Sequence, residues 1–274
     1  MKTRHLLLMA ALALALPLRA QWGEDIDTLC PAQLMVMYEL TYREDTNHID
    51  RAGKEKMMLL IGEGISYFES YNSYRSSRKI REIMNKGIRE IHVQPEDIAR
   101  YIYKVFKNHP HGKITMIDNV FMTGVFLYEE DYPCMVWEYT ENTATINGYF
   151  TQKAVCDYGG RTWAAWFAPE LPYQEGPYKF CGLPGLIVKI ADTQNHYCFE
   201  MVSVEIPEDM FIVWENRDYV ETTKKAFFKA YDDNLANIVE NALPNFLDAD
   251  KSDIQKKLYY YAVTKNNPIE LDRK

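Results

Sequence analysis

Three kinds of side chain in this sequence could do chemistry. His109-Pro110-His111 is an H-x-H pair of the kind that holds a metal when both imidazoles lie on one strand. Here the proline between them and the following Gly112 place the pair in a loop, which favours an incidental role. Asp131, Glu138 and Glu200 fall in strand-like segments and would act as paired carboxylates only if folding brought them together. Aromatic side chains crowd a third stretch: Trp163, Trp166, Phe167, Tyr173 and Tyr178, with Lys179 beside the last. Such rings stack on sugars or line an acyl pocket, or simply fill a core. Trp163 and Phe167 share one face of their strand and are expected in the core. Trp166, Tyr173, Tyr178 and Lys179 are the expected binding surface.

Other motifs with a mechanism are missing from the sequence. It has no H-E-x-x-H, no G-x-S-x-G and no phosphate-cradling glycine loop. Cys30, Cys134, Cys156, Cys181 and Cys198 form no C-x-x-C, and their odd number leaves at least one thiol unpaired. The expectation is therefore a protein without catalytic residues, metal ligands or cofactor. The formal net charge of -8 argues against general nucleic-acid binding, which needs a basic surface to displace counterions.

The elements that must position these residues follow from the spacing of apolar side chains. Met1 to His5 is a short basic start, Leu6 to Leu16 an apolar run too short to span a bilayer, and Pro17 to Ala20 a small-residue exit. Residues 1–20 are thus expected to be a secretory leader, making the protein exported, periplasmic or extracellular, with no transmembrane segment in residues 21–274. Those residues suit one domain. Leu34 to Tyr42 alternates with period two, and Met57–Ile61, Gly62-Glu63-Gly64 and Ile65–Ser70 read as a hairpin. From Ile80 the apolar spacing becomes helical. A second helix is expected to begin at Pro95, with Ile98, Tyr101, Ile102, Val105 and Phe106 on one stripe. The resulting helical insert, residues 71–113, carries ten Lys or Arg against four Asp or Glu, the one basic region in an acidic chain.

Period two then returns in strands over residues 120–129, 134–140, 149–157, 161–168, 186–190 and 197–204, with a polar connection at Asn142–Gly148 and turns between the others. Residues 218–262 are expected to supply C-terminal helices, from Val220 to Leu243 and from Ile254 to Tyr261. The fold class is α+β, mostly β: a curved antiparallel meander sheet with a central helical insert and C-terminal helices.

One segment has a readable backbone. In Gly176-Pro177-Tyr178-Lys179-Phe180-Cys181-Gly182-Leu183-Pro184-Gly185-Leu186-Ile187, Pro184 and Gly185 suit the central positions of a type II turn. Gly182 adds freedom before that turn, and Gly176-Pro177 makes an earlier bend, leaving Tyr178-Lys179-Phe180 as a short extended piece. This stretch resembles the hallmark of the GLPGLI family of Bacteroidota envelope proteins. Tyr149 to Ala168 is similar to that family's upstream block, and Asn266-Asn267-Pro268-Ile269-Glu270-Leu271 to its tail. Tyr178 stands where the family often has tryptophan, and the basic insert is longer than usual. The resemblance implies export and a mostly β fold, and no established activity.

On these grounds the expected function is a non-catalytic envelope binding or carrier protein using a curved sheet face, its partner an apolar or glycan ligand. The alternative is an envelope assembly factor docking a protein through a strand edge or the basic insert. A hydrolase is the remaining class, and needs clustered carboxylates or histidines in a cleft.

Overall fold

The computed structural model describes residues 25–87, 98–132, 135–242 and 251–273. The leader segment and Cys134 lie outside them.

Strands β1 (Asp25–Pro31) and β13 (Phe211–Asn216) form a two-stranded antiparallel ribbon. All other strands join one open sheet. In chain order they are β2 (Leu34–Tyr42), β3 (Gly53–Ile61), β4 (Ser66–Ser70), β5 (Lys104–Lys107), β6 (Lys113–Val120), β7 (Gly124–Asp131), β8 (Glu138–Ile146), β9 (Tyr149–Tyr158), β10 (Arg161–Ala168), β11 (Leu186–Asp192), β12 (Tyr197–Glu205) and β14 (Val220–Glu221). Their order across the sheet is β14-β7-β6-β5-β4-β3-β2-β12-β11-β10-β9-β8. Every pairing is antiparallel except β14 with β7. The fold is mostly β, with the antiparallel sheet expected from the sequence.

Both sheet faces are covered, which explains the unbroken apolar run in β3. Met57, Leu59 and Ile61 enter the larger core on the concave face, and Met58 and Leu60 enter the smaller one on the convex face. The convex core is capped by the β1/β13 ribbon, through Ile212 and Trp214, and by helix α1 (Tyr71–Asn85), through Tyr71 and Tyr74. Helices α2 (Lys224–Ala236) and α3 (Ile238–Ala242) follow β14, and α4 (Lys251–Val263) packs on α3. Thr223 caps α2, its hydroxyl accepting from the Ala226 amide. Phe227 on α2 enters the concave core.

The sheet is curled enough to bring strands near opposite edges together. β7 is second in the order and β9 eleventh, yet Tyr158 of β9 donates its hydroxyl to Glu130 of β7 at 3.3 Å. The space inside the curl is filled by the 169–185 segment. Phe180, Cys181 and Leu183 are fully buried there.

Several expectations need correction. The insert is not helical throughout: α1 ends at Asn85, residues 88–97 lie outside the described set, and Lys104–Lys107 is strand β5. Val105 and Phe106 fit a helical stripe, but they point into the two different cores. A short strand buried on both faces cannot be told from a helix by apolar spacing. Asn142–Gly148 is not a polar connection, because β8 runs to Ile146 and only Asn147-Gly148 turn, both at positive φ. β8 is an edge strand, and its polar sequence reflects its exposure. Val220-Glu221 is strand β14 rather than the start of a helix.

The signature turn also differs from expectation. Gly185 has φ 159°, and its amide donates to the Leu183 carbonyl at 2.8 Å, closing a three-residue turn about Pro184 instead of a type II turn. The Leu186 amide goes to the Leu171 carbonyl at 2.9 Å. Tyr178-Lys179 is not extended: it occupies the centre of a turn closed by the Phe180 amide on the Pro177 carbonyl at 3.1 Å, with Tyr178 at φ 56°.

Gly185 is needed for space. A Cβ there would lie 2.3 Å from the Ala168 carbonyl oxygen. Gly176 is similarly tight, its missing Cβ 2.7 Å from Ile187 Cδ1. Because the obstacle at Gly185 is backbone, Gly185→Ala is expected to cost about 2–3 kcal/mol. Urea denaturation followed by circular dichroism measures this, and an unchanged midpoint would contradict the tight approach.

Candidate functional site

Two fully buried lysines fix the signature segment inside the curled sheet. Lys107 of β5 donates to the Gly176 carbonyl at 2.6 Å and the Phe180 carbonyl at 3.2 Å, and pairs with Glu175 at 2.6 Å. Lys179 donates to Tyr128 Oη at 3.0 Å, to Glu270 at 2.7 Å and to Glu130. Each ammonium has three N–H donors, and each has three acceptors here. The rings of Tyr128, Tyr178 and Tyr158 surround Lys179 at 5.0, 5.3 and 5.9 Å.

Glu270 is the matching anion. It accepts from Tyr178 Oη at 2.5 Å and pairs with Lys224 at 2.6 Å in addition to Lys179. Burial alone would raise its pKa, but attraction to Lys179 and Lys224 prevails and brings it down to about 2. Burial likewise opposes the Lys179 charge, and Glu270 with the nearby tyrosines holds its pKa well above the ordinary value. A depressed carboxylate contributes stability above its unfolded pKa and loses it as pH falls through the folded value. For Glu270 that window runs from 4.5 down to about 2.

Glu270 belongs to a C-terminal tail anchored along its length. Arg161 of β10 donates to Asn267 Oδ1 and the Pro268 carbonyl at 2.6 Å, to the Ile269 carbonyl at 2.9 Å and to Asp192 at 3.0 Å. Tyr197 Oη donates to the Asn267 carbonyl at 2.7 Å. The Leu271 amide reaches the Gly159 carbonyl at 2.6 Å.

Between this tail, α2 and the concave face lies a cavity of about 90 Å³. Tyr101, Tyr103, Tyr178, Phe227, Phe228 and Tyr231 supply most of its wall, with Met116 below. Its ionic groups are nearly all committed. Glu44 pairs with Arg100 and, at 3.9 Å, with Lys265; Arg273 pairs with Asp232. Asp118 of β6 differs. Among the described residues its one hydrogen-bond partner is the Asn119 amide at 2.7 Å, and it makes no ion pair within 4 Å.

Asp118 is half-buried and lines the cavity. This burial pushes its pKa from 3.8 to about 6, against the lowering effects of the Asn119 amide, Lys265 and Lys179. Tyr103 Oη is buried without a hydrogen-bond partner. Burial followed by the Asp118 charge keeps the Tyr103 phenol well above its ordinary pKa, hence protonated at neutral pH.

Of the four residues expected to bind, Tyr178 lines the cavity and Lys179 holds the adjoining Glu270. Neither is on an exposed surface, since the turn that carries them is buried. Trp166 and Tyr173 are half-buried against the concave core, away from the cavity wall, with Lys153 6.0 Å from the Trp166 ring. Trp163 and Phe167 are core residues, as expected. His109 packs between Phe106 and Trp214 at 5.9 and 5.3 Å, and His111 is exposed. Of the three strand carboxylates, Asp131 and Glu200 pair separately with Lys113 and Lys189, and Glu138 is exposed at the start of edge strand β8. Among the described residues no group of three or more His, Cys, Asp or Glu could hold a metal. Cys30 and Cys198 are half-buried free thiols.

Residues 157–189 match the family model described as "Protein of unknown function (Porph_ging)". That segment contains β10 and the signature. No curated protein matches the chain. Two solved structures of PNGF-II, in space groups P21 and C2, are distantly similar. The first is 12% identical with TM-score 0.49, covering 73% of this chain and 33% of that one. The second is 13% identical with TM-score 0.48, covering 72% and 32%. The chain thus spans about a third of their length.

A carboxyl with a raised pKa favours its proton in the folded state. The cost of ionising Asp118 is absent below 3.8, grows up to about 6 and is complete above that. Asp118→Asn removes this titration and is expected to stabilise the protein by about 1–3 kcal/mol at neutral pH, with the gain fading toward pH 4. Thermal melts across that range test it; a variant less stable than the parent at neutral pH would contradict it.

Proposed function

We propose that this is an exported, non-catalytic protein of the GLPGLI family that binds a small polar ligand in the cavity over its concave sheet face. The signature, the upstream block and the tail support the family, and the basic-then-apolar start supports export. The observation that carries the binding reading is the combination at the cavity wall. Asp118 and Tyr103 expose polar groups without side-chain partners among aromatic rings, at a position where an ordinary core would place apolar atoms. Buried polar groups left free cost stability, and a ligand that satisfied them would recover it.

Volume decides between the ligand classes. Pockets for drug-sized molecules run to about 300–1,000 Å³, and a benzene-binding cavity to about 150 Å³. A cavity of about 90 Å³ suits a head group rather than an acyl chain. The carboxylates that could favour hydrolysis are mostly engaged: Glu44 and Glu270 are held in ion pairs, leaving Asp118 without a second free carboxylate beside it.

A second reading rests on β8. This nine-residue strand forms one sheet edge with most of its side chains exposed, and an extended envelope peptide could add to it.

Native mass spectrometry of protein recovered from its own envelope, followed by thermal-shift screening of small polar compounds, separates these readings. The cavity reading predicts a small bound molecule and a melting temperature raised by several degrees at ligand concentrations about a hundred times Kd. The cavity-filling Met116→Trp variant is expected to abolish the shift. A co-purifying protein, with no small molecule bound and no compound active, would favour the edge strand and overturn the cavity reading.

A further inference from the structure

The cavity also carries information about the charge of its ligand. The antiparallel register pairs Lys104 of β5 with Ile117 of β6, bringing Tyr103, one residue before β5, opposite Asp118. Both line the cavity. We propose that this site takes a small organic cation, an alkylammonium group, with Asp118 as its counter-ion and the Tyr103, Tyr231 and Phe227 rings as its walls. The inference rests on the cavity being a binding site and names the class of ligand.

Charge accounting is the first support. Glu44 is matched by Arg100 and Lys265, Glu270 by Lys179 and Lys224, and Arg273 by Asp232. Lys265 is further occupied by the Tyr261 ring at 5.0 Å, and Arg273 by the Phe228 ring at 4.9 Å. The cavity's cations are therefore engaged, whereas Asp118 lacks a direct counter-ion. An anionic ligand would have to displace a carboxylate from one of these pairs and lie beside Asp118. A cation meets the opposite situation.

The wall chemistry agrees. Aromatic faces are electron-rich and attract ammonium groups, more strongly where water is excluded. An ammonium carries donors and no acceptor. The Asp118 carboxylate and the Tyr103 phenol oxygen both accept, so the match needs no additional group. A sugar would bring several hydroxyls that each seek donors as well as acceptors, whereas the donors without a hydrogen-bond partner at this wall are two, the Tyr101 and Tyr103 phenols.

The titratable groups facing Asp118 are Tyr103 from the segment before β5, Tyr231 from α2, Lys265 from the tail and Lys179 from the signature turn. Both phenols have raised pKa values and stay protonated at neutral pH, and both lysines are paired. The group that changes charge in the mildly acidic range is then Asp118. Its ionised form is the binding form, so affinity should rise with pH through about 6.

The test is a titration of the full protein, followed by NMR, with propylammonium and tetramethylammonium. Propanol serves as the neutral analogue and propionate as the anionic one. At about pH 7.5 both cations should bind, propylammonium through its N–H donors and charge and tetramethylammonium, which has no donor, through charge and ring contacts alone. Affinity should fall roughly ten-fold at about pH 5, where about a tenth of Asp118 remains ionised. Asp118→Asn, checked for folding by circular dichroism, should lose at least as much at the higher pH and lose the pH dependence. Tyr103→Phe, which keeps the ring, should weaken binding less. Propionate binding more tightly than propylammonium, or cation binding indifferent to Asp118→Asn, would overturn the proposal. Binding of propanol or a neutral sugar without either cation would overturn it and leave the cavity as a small-ligand site. Binding of none of these, with no other compound active in the thermal screen, would overturn both.

Discussion

The Lys179 ammonium is the constraint on which the rest of the structure depends. It sits inside the curl of the sheet, fully buried, and its three donors reach Tyr128 and Glu130 on β7 and Glu270 on the C-terminal tail. Tyr158, on a strand near the opposite edge, places its ring against the same ammonium and its hydroxyl against Glu130. One side chain thus connects the two limbs of the sheet with the signature turn and the tail. Buried ion pairs of this kind add little net stability, because desolvation offsets attraction, but removing one partner leaves a buried charge uncompensated. Their contribution here is to select one arrangement. An alternative curl or tail path would strand Lys179 or Glu270 without a partner.

That arrangement explains why a cavity persists in an otherwise packed interior. The signature segment fills the curl on one side, held by Lys107 and Lys179. The tail crosses beside it under the Arg161 clamp, and α2 closes the remaining side with Phe227, Phe228 and Tyr231. Each of these layers is fixed by hydrogen bonds or ion pairs of its own, so none is free to collapse onto Asp118. The signature glycines serve the same scaffold: Gly176 and Gly185 allow backbone approaches that a Cβ would block. The hallmark is thus a structural device, and the polar groups without side-chain partners at the cavity wall include Asp118 of β6 and Tyr103 before β5.

Much of the sheet could be read from the sequence because alternation survives wherever one face of a strand is buried more deeply than the other. β2, β9, β10 and β12 show it and were expected close to their observed limits. β5 escaped because Val105 and Phe106 are buried on opposite faces, which erases the period of two. Only the start of β8 falls within the expected 134–140 strand, and its later residues read as polar connection because an edge strand with both faces exposed loses its alternation. The site was harder to see. Tyr178 and Lys179 stand out as the side chains within the signature, and they do adjoin the cavity, but as buried anchors. Asp118 and Glu270 carried no local signal, since a carboxylate becomes distinctive only when long-range folding removes its water. A lone acidic residue within the apolar run Ile114–Val120 is the one hint the sequence offers for Asp118.

The most direct test of this account is a double-mutant cycle between Lys179→Met and Glu270→Gln, measured by urea denaturation at neutral pH. Each single change should cost up to about 3–5 kcal/mol, because each removes one charge from a buried cluster that Lys224 and Glu130 then balance only in part. The double variant should cost less than the sum by more than about 1 kcal/mol, the signature of direct coupling. Costs that add within about 0.5 kcal/mol would contradict the claim that one buried ion cluster joins the sheet, the signature and the tail.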